Sequence, residues 1–195
     1  MSKISLPLSI SLIIVAGVFG LSIGYSLTPD YKNGMFDKTT MDLGRADKNL
    51  DLRYLNAMIS HHRGAMLLAE PASQKTTRQE MKDLSAKILN DEPKAIDELY
   101  AWKKNWYGDT RQVKDPVVSN LGNYDDKFDL RFLNALIAHH EAGLLMTKEV
   151  KTKSSRTEVL NNADEVETFF SIILAQLAQC IPLIFKVCLI IVDEY

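Results

Sequence analysis

The sequence predicts an all-α protein: a four-helix bundle made of two tandem helical hairpins, preceded by a hydrophobic helix. Three observations predict it: a segment that recurs 78 residues later, helical spacing of apolar side chains in both copies, and a second helical pattern after each copy. With 46% apolar and 25% charged residues, the composition is that of a globular protein. The net charge of −2 lacks the basic excess of a nucleic-acid binder, so no nucleic-acid partner is expected.

The chain begins with a long uncharged segment. In residues 1–28, no charge follows Lys3. A helix needs about 20 apolar residues to cross a bilayer, so this segment predicts an uncleaved signal anchor. The alternative is a signal peptide with a small-x-small cleavage site at residues 22–24. Gly20 and Gly24 form a GxxxG pair that suits dimerisation, which leaves a homo-oligomer open. In either case the rest of the chain is expected to be extracytoplasmic, either anchored on the periplasmic side of a membrane or exported.

The most informative feature is an internal repeat. A polar stretch at residues 29–50 is interpreted as a spacer. Residues 51–62 then recur as 129–140, and nine of these twelve positions are identical. All four histidines of the chain fall in the two copies: His61, His62, His139 and His140. Such a repeat indicates duplication of a helical unit.

Each copy has the pattern of an amphipathic helix. Asp51 and Asp129 are predicted N-caps, and Pro71 is predicted to end the first helix. In the first copy, one stripe recurs at alternating spacings of three and four: Leu52, Leu55, Ile59, His62, Met66 and Ala69. The second copy repeats this stripe, so both histidine pairs lie where the pattern expects core residues.

A second helical segment follows each copy. The first runs over residues 78–107, where Pro93 is predicted to kink or split it, and another begins at residue 157. The predicted parts of the chain are therefore an anchor or signal peptide at 1–28, a spacer at 29–50, a first repeat at 51–107, a linker at 108–128, a second repeat at 129–168 and an atypical apolar tail at 169–195. Three interpretations of the tail stay open: a second membrane segment, a core helix and a frameshifted sequence.

The histidines and neighbouring methionines predict a metal site. Imidazole suits copper, zinc, nickel and iron, whereas a thioether favours Cu(I). Met58 and Met66 lie four residues on either side of His62, and Met146 lies two turns beyond His139. Copper, foremost Cu(I), is therefore the expected ion, with other transition metals as alternatives. Adjacent histidines point about 100° apart on a helix, so ligands from other helices are needed. The predicted ligands are His61, His62, Met58, Met66, His139, His140 and Met146.

Other chemistries find less support in the sequence. The only cysteines, Cys180 and Cys188, are too few for a disulfide scaffold. A carboxylate-bridged di-iron centre needs Glu-x-x-His on two helices, and no acidic residue stands three positions before any histidine. The sequence contains no hydrolase, phosphate-loop or dinucleotide-binding motif. Binding is therefore favoured over catalysis, and no catalytic residue is predicted.

One motif resembles a known family. Residues 55–65, Leu-Asn-Ala-Met-Ile-Ser-His-His-Arg-Gly-Ala, resemble the signature of the domain of unknown function 305 family, and residues 133–143 repeat it. Residues 95–102 resemble the family's second helix, so the resemblance covers residues 51–168. It implies a ferritin-like four-helix bundle, typically exported, and some relatives are periplasmic copper-binding proteins that use His and Met. By position, it carries over His61, His62, His139, His140 and Met146. Leucine stands at positions 68 and 99, where the family usually has Met.

The function expected from the sequence is extracytoplasmic sequestration or transfer of copper through His and Met side chains. Its partners would be the metal ion and, through the N-terminal helix, a membrane. Two alternatives stay open. One is a structural or interaction module of the cell envelope whose histidines are core residues. The other is a metalloenzyme with an open coordination position.

Overall fold

The described part of the chain folds into four helices joined as two hairpins. The computed structural model describes residues 42–180. Within this range it contains α1 (Leu50–Lys75), α2 (Gln79–Tyr107), α3 (Phe128–Lys153) and α4 (Thr157–Cys180), and no strand. Helix α1 packs against α2, α3 packs against α4, and α1 also contacts α3. The all-helical prediction is therefore confirmed for the described part of the chain.

Several predictions fall on the ends of the chain. The predicted hydrophobic helix at 1–28 and the spacer up to residue 41 lie outside the described residues. Of the apolar tail, residues 169–180 continue α4, and residues 181–195 also lie outside the described range. None of the helices between residues 42 and 180 is long and apolar enough to cross a membrane.

The duplication is visible in hydrogen bonds as well as in sequence. The Arg53 guanidinium of α1 donates to the carbonyl of Leu43 at 2.6 Å and pairs with Asp47 at 2.8 Å. The guanidinium of Arg131, its equivalent in α3, makes the same contacts 78 residues later, with the carbonyl of Leu121 at 2.9 Å and with Asp125 at 2.8 Å. Each arginine therefore ties the segment before its helix to the first turn, which fixes where the histidine helix begins.

The two predicted N-caps are wrong. Helix α1 begins at Leu50 and α3 begins at Phe128, so Asp51 and Asp129 lie inside the first turn, and neither N-cap residue makes a side-chain capping bond. A carboxylate in this turn still interacts favourably with the helix dipole. Instead of capping the helix, the side chains of Asp51 and Asp129 each bond to residues of the opposite hairpin.

These two carboxylates join the hairpins to each other. Asp51 accepts hydrogen bonds from the Ser154 hydroxyl at 2.7 Å and from Arg156 Nε at 3.0 Å, in the turn between α3 and α4. Asp129 makes the equivalent contacts with the turn between α1 and α2, through Thr76 at 2.7 Å and Arg78 at 3.4 Å. The repeat thus extends beyond the histidine helices into both turns.

Neither helix-interior proline interrupts its helix. Helix α1 passes through Pro71 to Lys75, so the predicted end at Pro71 is wrong, and α2 passes through Pro93 to Tyr107 without splitting. A proline removes one hydrogen bond and costs about 3 kcal/mol in a helix interior. Burial of Ala72 and the bond between Thr76 and Asp129 hold the last turn of α1 in place and offset this cost.

Among the residues whose side chains the structure describes, two buried clusters form the core. The first core cluster comprises the buried apolar residues within 65–72, 81–88 and 121–136. The second core cluster comprises those within 43–59 and 146–170, together with Leu99. Helices α1 and α3 contribute to both clusters, and each carries its histidine pair between the segments that do so. The fold therefore places all four histidines at the junction of the two clusters.

Candidate metal centre

All four histidines are buried, as the helical pattern predicts. The exposed fractions are 4% for His61, 6% for His62, 1% for His139 and 3% for His140. Both predicted pairs come together at the crossing of α1 and α3, because the duplicated helices bring equivalent turns into contact. Four polar rings in an apolar core are costly unless their nitrogens have partners.

His61 and His139 form the centre of this group. Their rings stack with centroids 3.8 Å apart and planes inclined by 26°. The Nε2 atom of each ring lies 2.9 Å from the backbone carbonyl oxygen of the other histidine. A carbonyl only accepts, so Nε2 carries the proton in both neutral rings, and Nδ1 carries the lone pair. On His61, this Nδ1 has no hydrogen-bond partner among the described residues.

Two glycines make room for this stack. A Cβ atom on Gly64 would lie 2.7 Å from His139 Cε1, and one on Gly143 would lie 2.7 Å from His61 Nε2. On the Gly143 side, the same atom would lie 2.3 Å from Phe170 Cε2. Each histidine therefore packs against a helix backbone that has no side chain at the contact.

His62 has an acidic partner that the sequence analysis missed. Its Nδ1 atom is hydrogen-bonded to Glu92 Oε2 of α2, and its Nε2 has no hydrogen-bond partner among the described residues. Glu92 is 9% exposed and lies 30 positions from His62. Residue spacing along the histidine helix therefore could not predict the contact between His62 and Glu92. The available signal was a glutamate four residues from both Ile88 and Ile96, within the apolar stripe of α2.

His140 has a different environment. Its ring lies 4.5 Å from the ring of Phe170, measured between centroids, with the planes inclined by 46°. Glu92 and His140 both line a small cavity of about 30 Å³ that Phe169 also borders. That volume holds about one water molecule or one ion. The cavity is thus lined by the ring of His140 and by the carboxylate that contacts His62.

Burial keeps three of the histidines in their neutral form. Desolvation lowers the pKa of His61 to about 3 and that of His140 to about 4. It holds the pKa of His139 well below the usual value of 6.5, and the neighbouring His61 and His140 lower it further. A neutral imidazole has one lone pair available to a metal ion, whereas an imidazolium has none. The centre is therefore poised to accept a cation at neutral pH.

These shifts predict that acid destabilises the metal-free protein. Below pH 6.5 the histidines of the unfolded chain take up protons, whereas the folded chain resists them down to about pH 3 or 4. Each shifted histidine then removes about 1 kcal/mol of unfolding free energy per pH unit. Urea unfolding at about pH 7, 6 and 5 measures this slope, in a window above the titration of ordinary carboxylates. An unfolding free energy that stays constant over this window would contradict the neutral buried rings.

The predicted methionines divide into two groups. Met58 and Met146 are 0% and 1% exposed and belong to the second core cluster, although they come from different helices. At the equivalent positions of the other repeat, Leu136 corresponds to Met58 and Leu68 corresponds to Met146. Both leucines belong to the first core cluster. Both of these thioethers therefore lie at one end of the histidine group. Met66 is only half-buried and belongs to neither cluster.

The donor set fits a soft metal ion. Among the described residues, no group of three or more His, Cys, Asp or Glu side chains is arranged to hold a metal ion. The buried unpartnered atoms His61 Nδ1 and His62 Nε2 nevertheless need a partner, and a metal ion is one. Neutral imidazole nitrogens suit copper among other transition metals, and the buried thioethers of Met58 and Met146 favour Cu(I). The residues present therefore fit copper by the chemistry of their donors.

Comparison with known proteins supports the resemblance seen in the sequence. Residues 51–119 match the model of the family described as "Domain of unknown function (DUF305)". Three similar solved structures are of one protein, CopM, in Cu(I)-bound, apo and Cu(II)-bound forms. Their sequence identities are 28%, 29% and 28%, and their TM-scores are 0.59, 0.59 and 0.55. Each match covers 66% of this chain and 93% of CopM. No curated protein matches the chain.

Proposed function

We propose that this chain binds copper, foremost Cu(I), at the crossing of α1 and α3, and that it sequesters the ion or passes it on. The observation that carries this proposal is the group of four buried histidines, in which His61 Nδ1 and His62 Nε2 have no partner among the described residues. The copper-bound structures of CopM, a protein of similar fold, support it.

The proposed ligands come from both histidine helices. His61, His62, His139 and His140 would supply imidazole nitrogens, and Met58 and Met146 would supply thioether sulfur from the second core cluster. Met66 is the weakest of the predicted ligands because it is only half-buried and packs in neither cluster. We further propose that the bundle acts outside the cytoplasm, attached through the segment at residues 1–28.

Binding is favoured over a structural role by the cost of the histidines. A purely structural core would leave the unpartnered ring nitrogens buried, at about 1 to 3 kcal/mol for each atom. Phenylalanine or leucine would fill the same space without that cost, because neither has a ring nitrogen that needs a partner. Metal binding is also favoured over catalysis, because binding needs only metal ligands from the protein, whereas an enzyme also needs groups that act on a substrate.

Metal-dependent stability tests this proposal. An ion that binds only the folded chain stabilises it by about 2.7 kcal/mol at a free concentration 100 times its Kd. For a chain of this size that raises Tm by about 5 to 10 °C. We expect such a rise with Cu(I) or with Ag(I), a monovalent ion without redox chemistry under these conditions, and its reversal by a strong chelator. Mg²⁺ is the matched control, since it prefers oxygen ligands. A Tm that is unchanged by all three ions would favour the structural alternative and contradict the proposal.

A further inference from the structure

Glu92 is an unusual residue for its position. It lies in the middle of α2, on the apolar stripe that packs against α1, and only 11% of its side chain is exposed. A buried carboxylate is costly unless it is paired. The partner here is His62, a residue already proposed as a metal ligand. The placement of Glu92 therefore calls for an explanation beyond packing.

The duplicated half shows that the fold does not require a carboxylate at this position. The residue 78 positions after Glu92 is Phe170, in the equivalent turn of α4. Phe170 is 2% exposed and packs against the ring of His140, as Glu92 packs against His62. An apolar side chain thus fills this place in one half of the molecule. The carboxylate in the other half points to a role in binding.

We propose that Glu92 is a positioning residue of the metal centre, holding the proton of His62 on Nδ1 so that Nε2 is the nitrogen available to the ion. This inference rests on the proposed copper-binding function. A carboxylate accepts a hydrogen bond, so its contact with Nδ1 favours the ring form in which Nδ1 carries the proton. Metal-binding histidines commonly donate their second N–H to such a carboxylate, which fixes the ring and raises the basicity of the ligand nitrogen.

The charge of Glu92 serves the same site. The proposed ligands are imidazole and thioether groups, which bring no negative charge, so without Glu92 a bound monovalent ion would add an unpaired charge to the core. The two other charged residues that line the adjacent cavity, Lys87 and Asp91, pair with each other at 3.1 Å. Glu92 therefore supplies a carboxylate in direct contact with one of the proposed ligands, where its charge offsets that of the ion.

Two substitutions of Glu92 and one control test this role. Glu92→Gln keeps the shape but removes the charge, and Glu92→Phe installs the residue that the other half carries. Glu98→Gln is the matched control, because Glu98 lies on the same helix but is exposed. We expect both Glu92 variants to bind Cu(I) about 10 to 100 times more weakly than the control, the usual effect of losing a group that orients a metal ligand.

A second measurement does not depend on metal binding. Nitrogen-15 NMR of the imidazole rings in the metal-free full chain reports which nitrogen carries the proton. We expect His62 to be protonated on Nδ1 in the wild type and in Glu98→Gln, and to lose that preference in Glu92→Phe. Equal proton placement in all three proteins would overturn the inference, as would Cu(I) affinities of the Glu92 variants within twofold of the control. A wild type that binds no Cu(I) would instead contradict the proposed function, and the NMR result would still decide the position of the proton.

Discussion

Replacing Gly143 with alanine is expected to destabilise the protein by about 1 to 3 kcal/mol, the usual cost of overpacking a core. The added Cβ would lie 2.3 Å from Phe170 Cε2 and 2.7 Å from His61 Nε2. The His61 ring cannot easily move away, because it stacks on His139 and bonds to its carbonyl oxygen. The expected direction is opposite to the usual one, because replacing glycine with alanine inside a helix normally stabilises a protein by about 1 kcal/mol.

Urea unfolding of Gly143→Ala beside the wild type measures this effect. Glu141→Ala is the matched control, because Glu141 is exposed on the same helix and should change the unfolding free energy by less than about 0.5 kcal/mol. Gly64→Ala should also destabilise, since its Cβ would lie 2.7 Å from His139 Cε1. An increase in the stability of Gly143→Ala would show that the histidine stack is not packed as tightly as the structure has it.

Removing the histidines is expected to have the largest effect on metal binding. A variant with His61, His62, His139 and His140 all replaced by alanine should bind Cu(I) at least about 100 times more weakly. Loss of an orienting residue alone costs about 10 to 100-fold, and loss of the ligands themselves costs more. Because four cavities in the core also destabilise the bundle, a second variant is needed. His62→Gln with His140→Gln keeps polar side chains of similar length and leaves the His61–His139 stack in place.

Both histidine helices could be predicted because the pattern that forms each of them lies within a short segment and occurs twice in the chain. The 78-residue repeat and the stripe around His62 predict both histidine helices, and the structure has them at the expected places. The ends of the helices were harder to predict. Asp51 resembles an N-cap in sequence, but its contacts with Ser154 and Arg156 come from a distant part of the chain. Pro71 resembles a stop signal, but packing beyond it carries α1 onward.

The candidate site also combines features that spacing within one helix predicts with contacts between helices that such spacing cannot predict. Helical spacing predicts that the histidines face inward, and all four do. The reciprocal bonds between His61 and His139 depend on how α1 and α3 cross, which spacing within one helix cannot reveal. Glu92 was missed for a related reason, since its contact with His62 joins two helices. Spacing also gave Met58 and Met66 equal weight, whereas burial separates them.

The most direct test of copper binding at the histidines is an anaerobic competition titration with Cu(I). The full chain is compared with the four-histidine variant and with His62→Gln/His140→Gln. All three proteins carry Cys180→Ser and Cys188→Ser, because thiolates also bind Cu(I). Circular dichroism checks that each variant remains helical. We expect tight binding by the protein that keeps all four histidines, weaker binding by the double variant and near-complete loss in the four-histidine variant. Equal Cu(I) affinity in the protein that keeps all four histidines and in a folded double variant, or no binding by the former, would contradict a copper site built from these histidines.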